Sequence, residues 1–313
     1  MASRYSQSVA IVPLAALTLA LVPARPAPPG PPPAPQANSQ AQPPSEEEFR
    51  ERSIRLVKNQ HADDEALEQF ERVERHVVRS SGADGRILDD KTYRVVPTGI
   101  GTGKLLIKDG DRPAPPAEYR QQLQSLADAL ALAARQNDFR EKAALSKYEK
   151  RKRDRAELVD ATREAFTAKW VGREKLNGRD CDVIELTPNP NFRAHSMLLE
   201  ALTHATAKLW VDHTADQLVR GEAHIIRDVS FGGGILGKLY RGAVFSMDQS
   251  EAAPGIWLPN RYQYDYTGRK FLFTFEDHQY TEVSRYRRLG TPKERLAMIE
   301  SELSSGKSPA GDP

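Results

Sequence analysis

Apolar and polar residues alternate along most of the chain after Phe166, with the period of a β-strand that buries one face. In 217–229 the apolar positions alternate with charged ones, and the same period recurs in 205–212. Turn-forming pairs such as Asn177-Gly178 separate these segments. Strand patterns also occur in 69–80, 86–97 and 104–108. The pattern predicts a series of antiparallel strands joined by hairpins.

Three regions carry helix signals instead. Ser45-Glu46-Glu47-Glu48 is a capping box, which predicts a helix from there to about Asn59. Pro115 and Pro116 open a second region, with apolar residues at spacings of three and four and a break near Asn137-Asp138. Thr291-Pro292-Lys293-Glu294 begins a terminal helix.

Together these elements predict an α+β fold. We expect a large curved antiparallel β-sheet with helices packed on one side. A single domain would cover 45–304, with a helical insertion at about 115–160 lying across one face of the sheet.

The amino-terminal residues have the composition of an export signal. A positive charge at Arg4 precedes an apolar stretch, so residues 1–24 are predicted to be a signal peptide, with an uncleaved membrane anchor as the alternative. Ten of the 22 prolines lie between Pro23 and Pro44, which predicts a disordered linker over 25–44. A short disordered tail is expected over 305–313. We therefore expect a periplasmic protein.

Charge and cysteine content exclude several classes of protein. The chain has 45 basic and 43 acidic residues, so it lacks the basic excess of a nucleic-acid-binding protein. A single cysteine, Cys181, excludes an internal disulfide and four-cysteine metal sites. The default interpretation of this thiol is a buried small hydrophobe.

Two motifs that suggest chemistry fail on inspection. Gly232–Lys238 resembles a phosphate-binding loop, but Leu239 stands where a magnesium-binding Ser or Thr is required. His195, His204 and His213 recur every nine residues, a spacing that fits metal ligands on neither a helix nor a strand. The sequence therefore predicts a protein that is not an enzyme, with no catalytic residue, metal, nucleotide or cofactor.

Two groups of residues are candidates for binding. Aromatic residues concentrate in the later strands, where they form the core of a flat sheet or line a cavity if the sheet curves. The cavity candidates are Trp210, Trp257, Tyr262, Tyr264, Tyr266, Phe271, Phe273 and Phe275. Alternation predicts that the three phenylalanines share one inward face. A dense basic run on the helical insertion is either a solvated face or a surface facing an anionic membrane. Its members are Lys147, Lys150, Arg151, Lys152, Arg153 and Arg155.

Several segments in the second half carry a family resemblance. They are Val171-Gly172-Arg173-Glu174, Asn177-Gly178-Arg179, Val183–Pro188, Lys208-Leu209-Trp210-Val211-Asp212, Leu218-Val219-Arg220 and Ile256-Trp257-Leu258-Pro259. The chain resembles uncharacterised bacterial envelope proteins of the outer-membrane lipoprotein-sorting (LolA/LolB-like) superfamily. The resemblance implies an unclosed β-barrel, helices that act as a lid, and a hydrophobic cavity that accepts acyl chains. It transfers no functional residue to a numbered position.

These expectations favour a non-enzymatic periplasmic carrier or binding protein for a lipid, an acyl chain or a lipidated protein. The alternative is a cell-envelope sensor or scaffold that acts through protein–protein contacts.

Overall fold

The computed structural model describes residues 42–81, 85–134, 139–231 and 237–306. The predicted signal peptide, most of the proline-rich linker, the break near Asn137-Asp138, the glycine run at 232–236 and residues 307–313 lie outside the described residues.

Thirteen antiparallel strands form one sheet. The strands are β1 Phe70–Arg79, β2 Ile87–Pro97, β3 Thr102–Asp109, β4 Arg112–Pro113, β5 Phe166–Leu176, β6 Arg179–Pro188, β7 Ala205–Asp212, β8 Leu218–Ile225, β9 Val229–Phe231, β10 Gly237–Leu239, β11 Val244–Ala253, β12 Ile256–Lys270 and β13 Phe273–Arg288. Their order across the sheet is β4-β3-β2-β1-β13-β12-β11-β8-β7-β6-β5, and β9 and β10 branch from β12. Within the described residues β4 and β5 do not pair with each other, so the sheet is unclosed, as predicted.

Five helices in the described part of the chain pack around this sheet. They are α1 Glu46–Leu67, α2 Pro116–Ala134, α3 Phe139–Ala165, α4 Met197–Glu200, followed by a 3₁₀ turn at Ala201–His204, and α5 Pro292–Ser305. The capping box at Thr291 forms as predicted, with both of its hydrogen bonds, whereas at Ser45 only the bond from the Glu48 N–H to the Ser45 hydroxyl is present. However, α1 ends at Leu67 and not near Asn59. The apolar period stops at Val57, but no glycine or proline interrupts the following residues, and their polar side chains bond to other elements.

The two faces of the sheet carry different helices. The front face is defined here by the apolar cluster around Leu209, Val211, Ala223, Phe245 and Met247, and Leu56 of α1 and Ala161 of α3 pack against it. The back face of β2 and β3 is covered by α2 and α5. Its cluster consists of Val96, Leu105, Tyr119, Leu123, Leu126, Ala127, Leu130 and Ile299.

Candidate functional site

An aromatic ladder runs up the front face on β11, β12 and β13. Tyr262 stacks on Tyr264 with ring centroids 6.4 Å apart, and Phe245 lies 6.0 Å from Tyr264 and 5.5 Å from Tyr266. Phe275 extends the ladder with an edge contact of 5.9 Å to Tyr266. Burial raises the pKa of Tyr262 from its ordinary value of 10 to about 12. The ladder is a row of neutral aromatic rings.

Helix α1 crosses the front face, yet polar contacts attach most of it. Its only buried residues are Gln60 and Asp63. Near its amino terminus, Arg52 Nε and Arg55 Nε donate to the two carboxylate oxygens of Asp216, each at 2.6 Å. Ion pairs therefore attach this region of α1 to the turn between β7 and β8.

A buried carboxylate lies at the centre of this attachment. Asp182 on β6 has a side chain only 3% exposed and accepts three hydrogen bonds. Its donors are Arg52 Nη1 at 2.5 Å, Trp170 Nε1 at 3.0 Å and Arg173 Nε at 3.1 Å, and His213 Nδ1 lies 2.7 Å away. Burial alone would raise the pKa of Asp182, but the contacts with Trp170, His213 and Arg52 outweigh burial and lower it to about 2.

The carboxyl-terminal half of α1 makes a second set of polar contacts. Asp63 Oδ1 accepts from the backbone N–H of Trp257 at 2.9 Å, while its Oδ2 has no hydrogen-bond partner. Burial raises the pKa of Asp63 to about 6. The neighbouring Asp64 accepts two hydrogen bonds from Arg155 of α3, both at 2.5 Å. The ion pair between Asp64 and Arg155 joins the two helices over the front face.

The space under α1 is a small pocket. Its apolar walls come from Phe49 and Leu56 of α1 and from Trp170, Ile184 and Val211 of the sheet. The cavity volume is about 20 Å³, close to that of a single water molecule. A cavity of this size is too small to hold an acyl chain.

The predicted cavity residues divide between several places. Tyr262, Tyr264, Tyr266 and Phe275 lie on the front face, where the ladder joins them. Trp210 and Trp257 belong to a separate back-face cluster with Cys181, so they do not line the front pocket. Alternation explains the error for Trp210, because Leu209 and Val211 on either side of it face the front cluster.

Phe271 and Phe273 do not point inward either. Phe271 lies in the turn between β12 and β13 with φ of 53° and is 52% exposed, and Phe273 is 78% exposed. The turn interrupts the alternation at Phe271. Phe273 keeps the face of Phe275, but it lies where the hairpin extends beyond β1.

Sequence reasoning missed Trp170, the third tryptophan. Its indole faces Asp182 and Ile184 in the front pocket. A β-bulge between Trp170 and Gly172 changes the register of β5 against β6. The sequence pattern of β5 alone does not show which face Trp170 occupies. Its pairing with the apolar strand β6 would have shown this.

The predicted basic run also divides. Arg155 turns inward to Asp64 with a side chain 27% exposed, so it does not belong to an outward face. Lys147, Lys150, Arg151, Lys152 and Arg153 are exposed on α3. Lys150 bonds to Asp154, one helical turn further on.

Three further findings concern chemistry. The described residues contain no group of three or more His, Cys, Asp or Glu side chains placed to hold a metal ion. Cys181 is buried, and burial raises the pKa of its thiol to about 12. None of the described helices combines the length and apolar character needed to cross a bilayer.

No protein-family model and no curated protein matches this sequence. Among solved structures, similarity is found to a domain described as an outer membrane lipoprotein-sorting protein from Vibrio parahaemolyticus. The identity is 10% and the TM-score 0.29, with 79% of this chain and 99% of the other covered. A LolA superfamily protein from Nitrosomonas europaea is 12% identical with a TM-score of 0.30, covering 78% of this chain and 96% of the other. The MucA/MucB complex of Pseudomonas aeruginosa is 10% identical with a TM-score of 0.20, covering 77% of this chain and 99% of the other. At these identities and TM-scores the neighbours carry no argument about the family of this chain or about what it binds.

Proposed function

We propose that this protein is a non-enzymatic periplasmic carrier or binding protein for a lipid, an acyl chain or a lipidated protein. The ligand would lie on the front face along the aromatic ladder, and α1 would be the lid that leaves to admit it. The observation that carries the proposal is the contrast between the two sides of this contact. The sheet offers an apolar and aromatic surface, whereas α1 is held to it mainly by ion pairs.

This kind of attachment favours a lid that moves. When an ion pair separates into water, both charges regain their hydration, so the net free energy lost is small compared with the gross attraction. A helix held by an apolar stripe would instead expose apolar surface to water when it leaves, at a cost of about 25 cal/mol for each Å² uncovered. The two buried residues of α1 are both polar, which places it in the first class.

Loosening the lid should therefore increase ligand uptake. In the variant Arg52→Ala/Arg55→Ala, the amino-terminal half of α1 loses its contacts to Asp182 and Asp216. We expect the apparent affinity for the apolar fluorescent dye N-phenylnaphthylamine to rise by about tenfold, because a larger fraction of molecules has the lid open. The matched control is Lys58→Ala, which removes an exposed positive charge from the same helix.

The proposal fails if neither the wild-type protein nor the double variant binds the dye, and if native mass spectrometry of protein from its own envelope fraction finds no bound lipid. Co-purified protein partners that survive removal of lipid, in the same preparation, would favour the alternative of a sensor or scaffold.

A further inference from the structure

Exposed apolar side chains collect at one end of the sheet. We name it the hairpin end, because β1 turns into β2 there and β12 turns into β13. The start of β7 and the end of β8 pair at the same end, next to α4. Of the nine exposed large hydrophobic side chains in the described residues, seven lie at the hairpin end. They are Ile87, Leu88, Met197, Ile226, Phe271, Leu272 and Phe273.

The β12–β13 hairpin is the most prominent part of this end. Its tip consists of Phe271, Leu272 and Phe273, which are 52%, 88% and 78% exposed. β13 pairs with β1 only from Gln279 onward, whereas its pairing with β12 begins at Phe273. On the β13 side the tip therefore extends about 20 Å beyond the last residue that β1 supports, at about 3.3 Å per residue. On the other side β10 pairs with β12 up to Lys270, so only the tip itself lacks a neighbouring strand within the described residues.

Basic residues are concentrated at the base of this tip, and the first acidic residue of β13 is the exposed Glu276. Arg269 and Lys270 directly precede it, and Lys238 and Arg241 belong to the adjoining segment 237–241. Neither 237–241 nor 268–275 contains an acidic residue. Lys238 is paired with Asp228 at 2.8 Å, while Lys270 and Arg241 are exposed.

We propose that the tip of the β12–β13 hairpin inserts into the headgroup region of an anionic phospholipid membrane, with the basic residues at its base meeting the lipid phosphates. Apolar and aromatic side chains beside basic ones are the combination that binds such an interface. A protein partner fits less well, because a stable protein interface needs about 800 Å² on each side, far more than a narrow three-residue tip offers.

This surface is distinct from the basic run on α3. Arg151 of that run lies beside Gly101, in the turn between β2 and β3 at the opposite end of the sheet. The two surfaces cannot lie flat on one membrane together, so variants can separate them.

The test is flotation of the full chain with vesicles of phosphatidylethanolamine and phosphatidylglycerol. We expect wild-type protein to bind, and Leu272→Ser/Phe273→Ser to bind at least about tenfold more weakly, because the main inserting side chains are lost. The matched control is Ile54→Ser, which removes an apolar side chain of 46% exposure from α1. Its binding should equal that of wild type. Lys270→Gln should weaken binding to these vesicles.

Two further measurements complete the test. In Leu272→Trp, vesicles should shift the added fluorescence to shorter wavelength, as an indole does on leaving water. Vesicles of phosphatidylcholine alone should bind wild-type protein much more weakly.

The proposal is overturned if wild-type protein does not float, if Leu272→Ser/Phe273→Ser floats as well as wild type, or if neutral vesicles bind equally well. It is also overturned if Lys150→Glu/Lys152→Glu/Arg153→Glu abolishes flotation while the hairpin variant retains it. That result would assign the membrane contact to α3.

Discussion

Removal of the Asp182 carboxylate is the sharpest test of how α1 is attached. The carboxylate is buried and receives hydrogen bonds from Arg52, Trp170 and Arg173. In Asp182→Ala, two guanidinium groups and an indole N–H lose their acceptor in a site with little access to water. Removing one partner of a buried ion pair costs about 3–5 kcal/mol, so we expect the free energy of unfolding to fall by this amount.

Asp182→Asn separates charge from hydrogen bonding. The fall in pKa from 3.8 to about 2 corresponds to about 2 kcal/mol of stabilisation of the folded state by the ionised carboxylate. Because the folded-state pKa is lowered, this stabilisation is present above pH 4 and is lost as the pH falls towards 2. We therefore expect Asp182→Asn to cost about 2 kcal/mol at pH 7, and the difference from wild type to shrink between pH 4 and pH 2.

Urea unfolding followed by tryptophan fluorescence measures both variants. The control is Asp160→Ala, which removes a carboxylate of 64% exposure that bonds to His61. An exposed pair of this kind contributes about 1 kcal/mol at most. If Asp182→Ala is no more destabilising than Asp160→Ala, the carboxylate does not hold α1 and the reasoning is wrong.

Three further predictions follow from the packing and the caps. Asp63→Asn should be more stable than wild type at pH 8 by up to about 3 kcal/mol, because the raised pKa means that wild-type stability is lost as the pH rises from the ordinary pKa of 3.8 to about 6. The melting curves should coincide below about pH 3.8, and a pH-independent difference would contradict this. Gly103→Ala should cost about 1–3 kcal/mol, since its Cβ would lie 2.5 Å from Leu126 Cδ1 in the α2 cluster; an unchanged melting temperature would show that this leucine moves freely. Thr291→Ala should cost about 1 kcal/mol in urea unfolding by removing the α5 cap to Glu294, and Thr291→Ser, which keeps the hydroxyl, should not.

Local patterns in the sequence were sufficient for the elements and for the fold class. Alternation identified the strands from Phe166 onward, and the capping boxes at Ser45 and Thr291 located the starts of α1 and α5. These signals are short-range, because a cap or a strand period depends on residues within a few positions of each other. The large antiparallel sheet and its helices were therefore within reach of the local pattern, whereas the expectation that the sheet is unclosed came from the family resemblance.

The composition of the site required the tertiary structure. Alternation states that Trp210 and Leu209 face opposite ways, but not which of those faces receives a helix. The covering of the front face depends on ion pairs between residues far apart in the chain, such as Arg52 with Asp182. Such charged residues resemble surface residues in the sequence, which is why Trp170 and Asp182 gave no signal. A side chain's neighbours across a sheet depend on strand order, bulges and helix placement, and these are decided only when the whole chain folds.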